Sequence, residues 1–150
     1  MATTAADFNW AGTAVPGGDI GCINTDSGAI SAGQAVILDA TNSLTTTGVT
    51  GFAAGLPAPG VKVAGAGNYV FGIAIENIAV GAQGRVRRYG IALCLATAAT
   101  ITAGDVIKAG ASGAVLTTTS AAAQIGQALN TTAGNANDPV LVALNIAKNA

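Results

Sequence analysis

The segment Ser31-Ala32-Gly33-Gln34-Ala35-Val36-Ile37-Leu38-Asp39-Ala40 returns in altered form as Thr102-Ala103-Gly104-Asp105-Val106-Ile107-Lys108-Ala109. The first copy closes on Leu44-Thr45-Thr46-Thr47 and the second on Leu116-Thr117-Thr118-Thr119. Phe71-Gly72-Ile73-Ala74-Ile75 follows the first copy, as Ile125-Gly126-Gln127-Ala128-Leu129 follows the second. Each is succeeded by small turn residues and a β-prone run, Arg85 to Tyr89 in one case and Val140 to Leu144 in the other. A motif used twice is read before any element is assigned, because it fixes the plan of the whole chain.

Each copy reads as a hairpin followed by a second pair of strands. "AGQ" and "AGD" supply a turn, "AVILDA" and "DVIKA" a strand, and "TNS" and "GASG" the next turn; "LTTT" returns as a β-branched strand. Gly33, Gly104 and Gly113 stand where a turn needs positive φ. No segment carries a helical period, although Ala121-Ala122-Ala123 with Ser120 as its cap could form one helical turn. The expected fold is all-β: an antiparallel β-sandwich or barrel built from two similar hairpin units, preceded by an extended N-terminal arm.

The arm is assigned to residues 1–30, outside the repeat, and the β domain to residues 31–150, with a loop excursion at residues 48–67. That excursion contains Pro57 and Pro59, which lack the N–H a central strand needs. Phe8 and Trp10 lie in the arm. A lone tryptophan on an extended tail is best used as an anchor on a neighbouring subunit, the alternative being that it folds back on its own domain.

Only 9% of the 150 residues are charged, against about a quarter in ordinary soluble domains. A surface so poor in lysine and arginine suits a protein covered by other protein. With a net charge of −1 there is no basic footprint for nucleic acid, and no apolar run reaches the length of a membrane span. The first ten residues lack the features of a secretory signal, consistent with synthesis in the cytoplasm of the producing cell.

The chain has no histidine, so the commonest general base, metal ligand and partner of a nucleophile is missing. Its acids, Asp7, Asp19, Asp26, Asp39, Glu76, Asp105 and Asp138, are scattered, and several sit beside turn residues. No calcium loop, P-loop or complete dinucleotide fingerprint occurs. An enzyme is not expected, and neither a cofactor nor a metal. Cys22 and Cys94 sit in apolar stretches and read as two buried free thiols, ahead of a disulfide or metal pair. Arg85, Arg87 and Arg88 are half of the six basic residues. On a strand, Arg85 and Arg87 share a face opposite to Arg88. They fit a solvated strand that resists edge pairing, or a salt-bridging contact to an acidic partner surface.

The turns before "GIA" strands, the "AGD-V" hairpin and the closing "IGQAL…VLVAL" pair resemble the cement, or head decoration, proteins of tailed bacteriophages, over about residues 31–145. The resemblance implies a structural virion protein on the outer surface of the head. It implies a homotrimer that clamps neighbouring copies of the major capsid protein and an N-terminal arm reaching adjacent subunits. On that reading Phe8, Trp10, Arg85, Arg87 and Arg88 make the partner contacts. A tail or fibre subunit is the first alternative and a carbohydrate-binding β module the second.

Overall fold

A computed structural model describes residues 18–41 and 58–146. Phe8, Trp10 and the Leu44–Thr47 segment therefore lie outside the described residues. Ten strands make up the fold: β1 (Asp19–Asn24), β2 (Ala35–Leu38), β3 (Gly60–Val63), β4 (Gly72–Ala74), β5 (Gln83–Arg87), β6 (Tyr89–Leu95), β7 (Val106–Ala109), β8 (Val115–Thr117), β9 (Gln124–Ala128) and β10 (Pro139–Asn145). A 3-10 turn, Ala111–Gly113, joins β7 to β8. Among the described residues no helix is long and apolar enough to cross a membrane.

The first five strands close into a barrel in the order β1-β3-β2-β4-β5, and the last five form a sheet in the order β6-β10-β9-β7-β8. These are one plan used twice. Reading β6 for β1, β7 for β2, β8 for β3, β9 for β4 and β10 for β5 reproduces every neighbour relation. The parallel pairing that closes the barrel, Asn24 beside Val61, returns as one parallel bridge between Ala96 and Val115. Loop hydrogen bonds repeat as well: Gly33 N–H to Ala74 O becomes Gly104 N–H to Ala128 O, and Asp39 N–H to Gly60 O becomes Gly110 N–H to Ala114 O. Gly33 and Gly104 have φ of 90° and 99°, and Gly113 has 74°, the left-handed turn geometry that glycine enters without steric cost.

The structure differs from the expectations at several points. Asp19–Asn24, assigned to the arm, is strand β1 and pairs antiparallel with β5 along its length. Residues 48–67 are not all loop, because Gly60–Val63 pairs with both β1 and β2. Pro59 sits just before that strand, where its carbonyl accepts the Ile23 N–H at 2.9 Å and its missing N–H costs nothing. The partner of Leu116-Thr117 is consequently found in Lys62-Val63 and not in Leu44-Thr45: Val36 faces Val63 as Ile107 faces Thr117. The strands are also not purely antiparallel, since β1 and β3 run parallel. At residues 121–123 the Ser120 hydroxyl accepts the Ala122 N–H at 3.2 Å, but Ala123 turns to a φ of 57°, so a turn forms instead of helix.

Alternation along the strands builds the interior. Inside the barrel lie Cys22, Ile30, Val36, Val61, Ala74, Ile78 and Val86. A second core gathers Ile107, Val115, Ile125, Val140 and Val142 with Cys94, and extends into the first unit through Ala35, Ala64, Val70 and Ile73. Each fully buried Val or Ile contributes roughly 1.5–3 kcal/mol. The two units are thus welded by one continuous apolar core. Leu95 N–H to Gly33 O, Gly67 N–H to Ala109 O and Gly113 N–H to Ala64 O add backbone hydrogen bonds across the seam.

Candidate interaction surface

The arginine run lies on and just beyond β5, where the pleat exposes Gln83 and Arg85 and buries Gly84 and Val86. Arg85 donates to both Glu76 carboxylate oxygens, at 3.2 and 3.4 Å, while the Arg85 N–H reaches Oε1 at 2.8 Å. Those hydrogen bonds hold the Glu76 carboxyl below the usual carboxylate range. Arg87 forks onto Asp19, at 2.7 and 3.0 Å, and its third nitrogen donates to the Ile91 carbonyl at 2.8 Å. It thereby ties β1, β5 and β6 together. Arg88 donates to the Phe71 carbonyl at 3.0 Å with its guanidinium 4.7 Å from the Phe71 ring centroid. All three have intramolecular partners, and Arg85 is the most open, its side chain 60% exposed.

The other acids among the described residues are likewise engaged in shaping the chain. Asp39 is buried, and accepts from the Thr25 hydroxyl at 2.8 Å, from Thr41 at 2.8 and 3.0 Å, and from Lys62 at 3.3 Å. Asp26 accepts the Val63 N–H, and Asp105 the Thr102 N–H, each at 2.8 Å. Asp138 accepts the Asn135 N–H at 2.9 Å, which lowers its pKa. No group of three or more metal-ligating side chains occurs among the described residues. Cys22 and Cys94 are free and buried, and loss of solvent pushes their thiols up to about 11 and about 12. Thiols so deeply protonated make poor nucleophiles.

Corresponding outer faces of the two units differ in kind. In the first, Asp19 faces Arg87 and Gly21 faces Arg85. In the second, the same places hold Ile91 opposite Ala143 and Leu93 opposite Leu141. Leu129 joins that row through its N–H to the Leu141 carbonyl at 2.8 Å. Leu93, Leu129, Leu141 and Ile91 are 52%, 45%, 42% and 43% exposed, with Tyr89 beyond them. Sequence reading took the β10 run as a strand but did not find this face, which appears only once β6 and β10 are in register. The usable signal was the run of apolar residues at the outward positions of "YGIALCL" and, up to Ala143, of "PVLVALN".

A charge-poor double unit with an apolar outer face is suited to contact. Comparison with known proteins gives that contact a setting: the family model described as phage cement protein matches residues 53–144. The chain belongs to the phage cement protein family. It is therefore a structural protein of the phage particle, as the resemblance in its turns and strands implied. No curated protein matches the chain. Among solved structures, the crystal structure of the head fiber gp8.5 N base in bacteriophage phi29 superposes with a TM-score of 0.61 at 14% identity, covering 85% of this chain and 95% of that one. At that identity the likeness speaks for the fold, and it runs through most of the cement protein's length.

Proposed function

We propose that this cement protein binds the outer surface of a phage head as a homotrimer and clamps neighbouring copies of the major capsid protein, without catalysing a reaction. The family match over residues 53–144 carries this reading. Cementing needs no reactive group: several modest patches held by one rigid body act together, so the assembly grips far more tightly than any one of them. The chain would be made in the host cytoplasm and meet the shell after assembly.

The residues before β1, with Phe8 and Trp10, form the arm that reaches the shell, and Arg85, Arg87 and Arg88 present charge beside it. Gly18 lies against this run, its carbonyl accepting the Arg88 N–H at 2.8 Å, so the arm starts at the arginines. A guanidinium offers five N–H donors, and Arg85 keeps some in addition to those given to Glu76. Deleting residues 1–17 should abolish binding to heads while the circular dichroism spectrum stays that of a β protein. Undiminished occupancy of the heads would contradict the arm's role. A second reading, a subunit at the base of a head fibre, is favoured by the likeness to the phi29 fold. Projecting fibres on imaged particles in place of flat decorations would select it.

A further inference from the structure

The two units share one strand plan, so a face occupied in the first shows what the same face of the second is shaped to receive. In the first unit, the outer face of β4 and β5 is where the second unit packs. Ile73 is fully buried there, and Arg87 donates to the Ile91 carbonyl of β6. A groove of about 380 Å³ marks the margin of this seam, lined by Ile75 and Arg85 on one side and Leu93 on the other.

Backbone hydrogen bonds place Leu129 and Leu141 in the second unit where Ile75 and Arg85 stand in the first: Leu129 N–H to Leu141 O repeats Ile75 N–H to Arg85 O. Gln127 and Ala143 likewise take the places of Ile73 and Arg87, paired in the same register. The second unit thus carries an open version of a face that is covered in the first, more apolar along its margin. Leu93, Leu129, Leu141, Ile91 and Tyr89 together expose on the order of 400 Å² there, close to the apolar share of one side of a standard protein interface.

We propose that a second copy of this chain docks on the β9-β10-β6 face of the second unit, through the Leu129-Leu141-Leu93 row. The occupant follows from the seam within the chain, where the body seated on this face is another unit of the same plan. Such a contact joins unlike surfaces head to tail, and in the homotrimer proposed above three copies would close it into a ring. The proposal rests on the reading of the chain as a self-assembling cement protein.

Light scattering of the full chain on a sizing column, with head binding measured separately, tests it. The unaltered chain should run as a trimer, and L93K/L141K as a monomer, its self-association weakened on the order of a hundredfold by lysines buried without partners. L129K, on the turn after β9, should dissociate likewise and decides the matter if the double variant does not fold. V80K, an equally exposed position of the first unit, should remain trimeric. A monomeric unaltered chain overturns the proposal, as do lysine variants that stay trimeric, including variants that stay trimeric yet leave the heads, since the face would then belong to the shell. If the unaltered trimer binds no heads while the variants dissociate, docking between copies stands and the cement reading falls.

Discussion

Cys22 and Cys94 occupy the same position in the two units: each lies two residues before the one that bridges in parallel to the third strand, Asn24 to Val61 and Ala96 to Val115. Each points into its own core, so the pair marks a duplication and no disulfide joins them. Both thiols should resist alkylation in the native protein near neutral pH and react together on unfolding in guanidinium, followed with a chromogenic disulfide reagent. Because burial raises both values, to about 11 and about 12, the unfolded chain loses its thiol protons first as the solution becomes alkaline. The thiol contribution to stability is therefore complete below the ordinary thiol range, and declines as pH rises through it toward the native values. Rapid labelling of either cysteine at pH 8 without denaturant would contradict the burial.

Gly72 and Gly126 are a second matched pair. A methyl on Gly72 would strike the Val86 side chain and the Arg87 carbonyl; one on Gly126 would strike the corresponding Val142 side chain and Ala143 carbonyl. Both glycines let the fourth strand of the plan lie close over the fifth. G72A and G126A should each destabilise the fold by about 1–3 kcal/mol in chemical denaturation, the range for overpacking a tight core. Unchanged midpoints would mean that the strands separate freely at these crossings.

Much of the plan was readable from the sequence, and the misreadings have local causes. The hairpin turns at Gly33 and Gly104 and the strands after them stood out, because glycine, Asn or Asp punctuates β-branched runs. Strand β1 was assigned to the arm because "DIGCIN" carries Asp19, Gly21 and Asn24, weak strand formers. Its counterpart "YGIALCL" carries neither Asp nor Asn, so the two do not look alike. Strand β3 was missed because prolines precede it and because "LTTT" at residues 44–47 mimics the second unit better than "GVKV" does. The apolar outer face was out of reach of the sequence alone, since exposure of Leu129, Leu141 and Leu93 in one row depends on long-range register.

Asp39 directly follows β2 with its side chain 2% exposed and is held by Thr25, Thr41 and Lys62. In the second unit Gly110 takes its place, so this network is particular to the barrel. D39A should cost about 1–2 kcal/mol, because it removes the buried acceptor that ties Thr25, Thr41 and Lys62 together, while those donors lie near enough to the surface to be hydrated. Thermal denaturation checks it; a melting temperature within error of the unaltered chain would show that the network adds nothing.

Glu76 should titrate below an isolated glutamate, because the Arg85 guanidinium and N–H stabilise its charged form. A depressed native value means that the stabilisation is present above the ordinary glutamate range and lost as pH falls through the native value. The pair is exposed, so its effect on stability is small. Carboxyl carbon shifts followed by NMR should show the Glu76 midpoint rising in R85A. A midpoint that stays put would remove Arg85 as the cause.

A cementing role requires above all that the chain attach to a shell. Heads purified without this protein, mixed with increasing amounts of it and sedimented, should take it up to a fixed stoichiometry, with new density outside the shell in images of the vitrified particles. Heads that sediment bare at every concentration, with the protein left folded in the supernatant, would contradict the claim that it works as a cement.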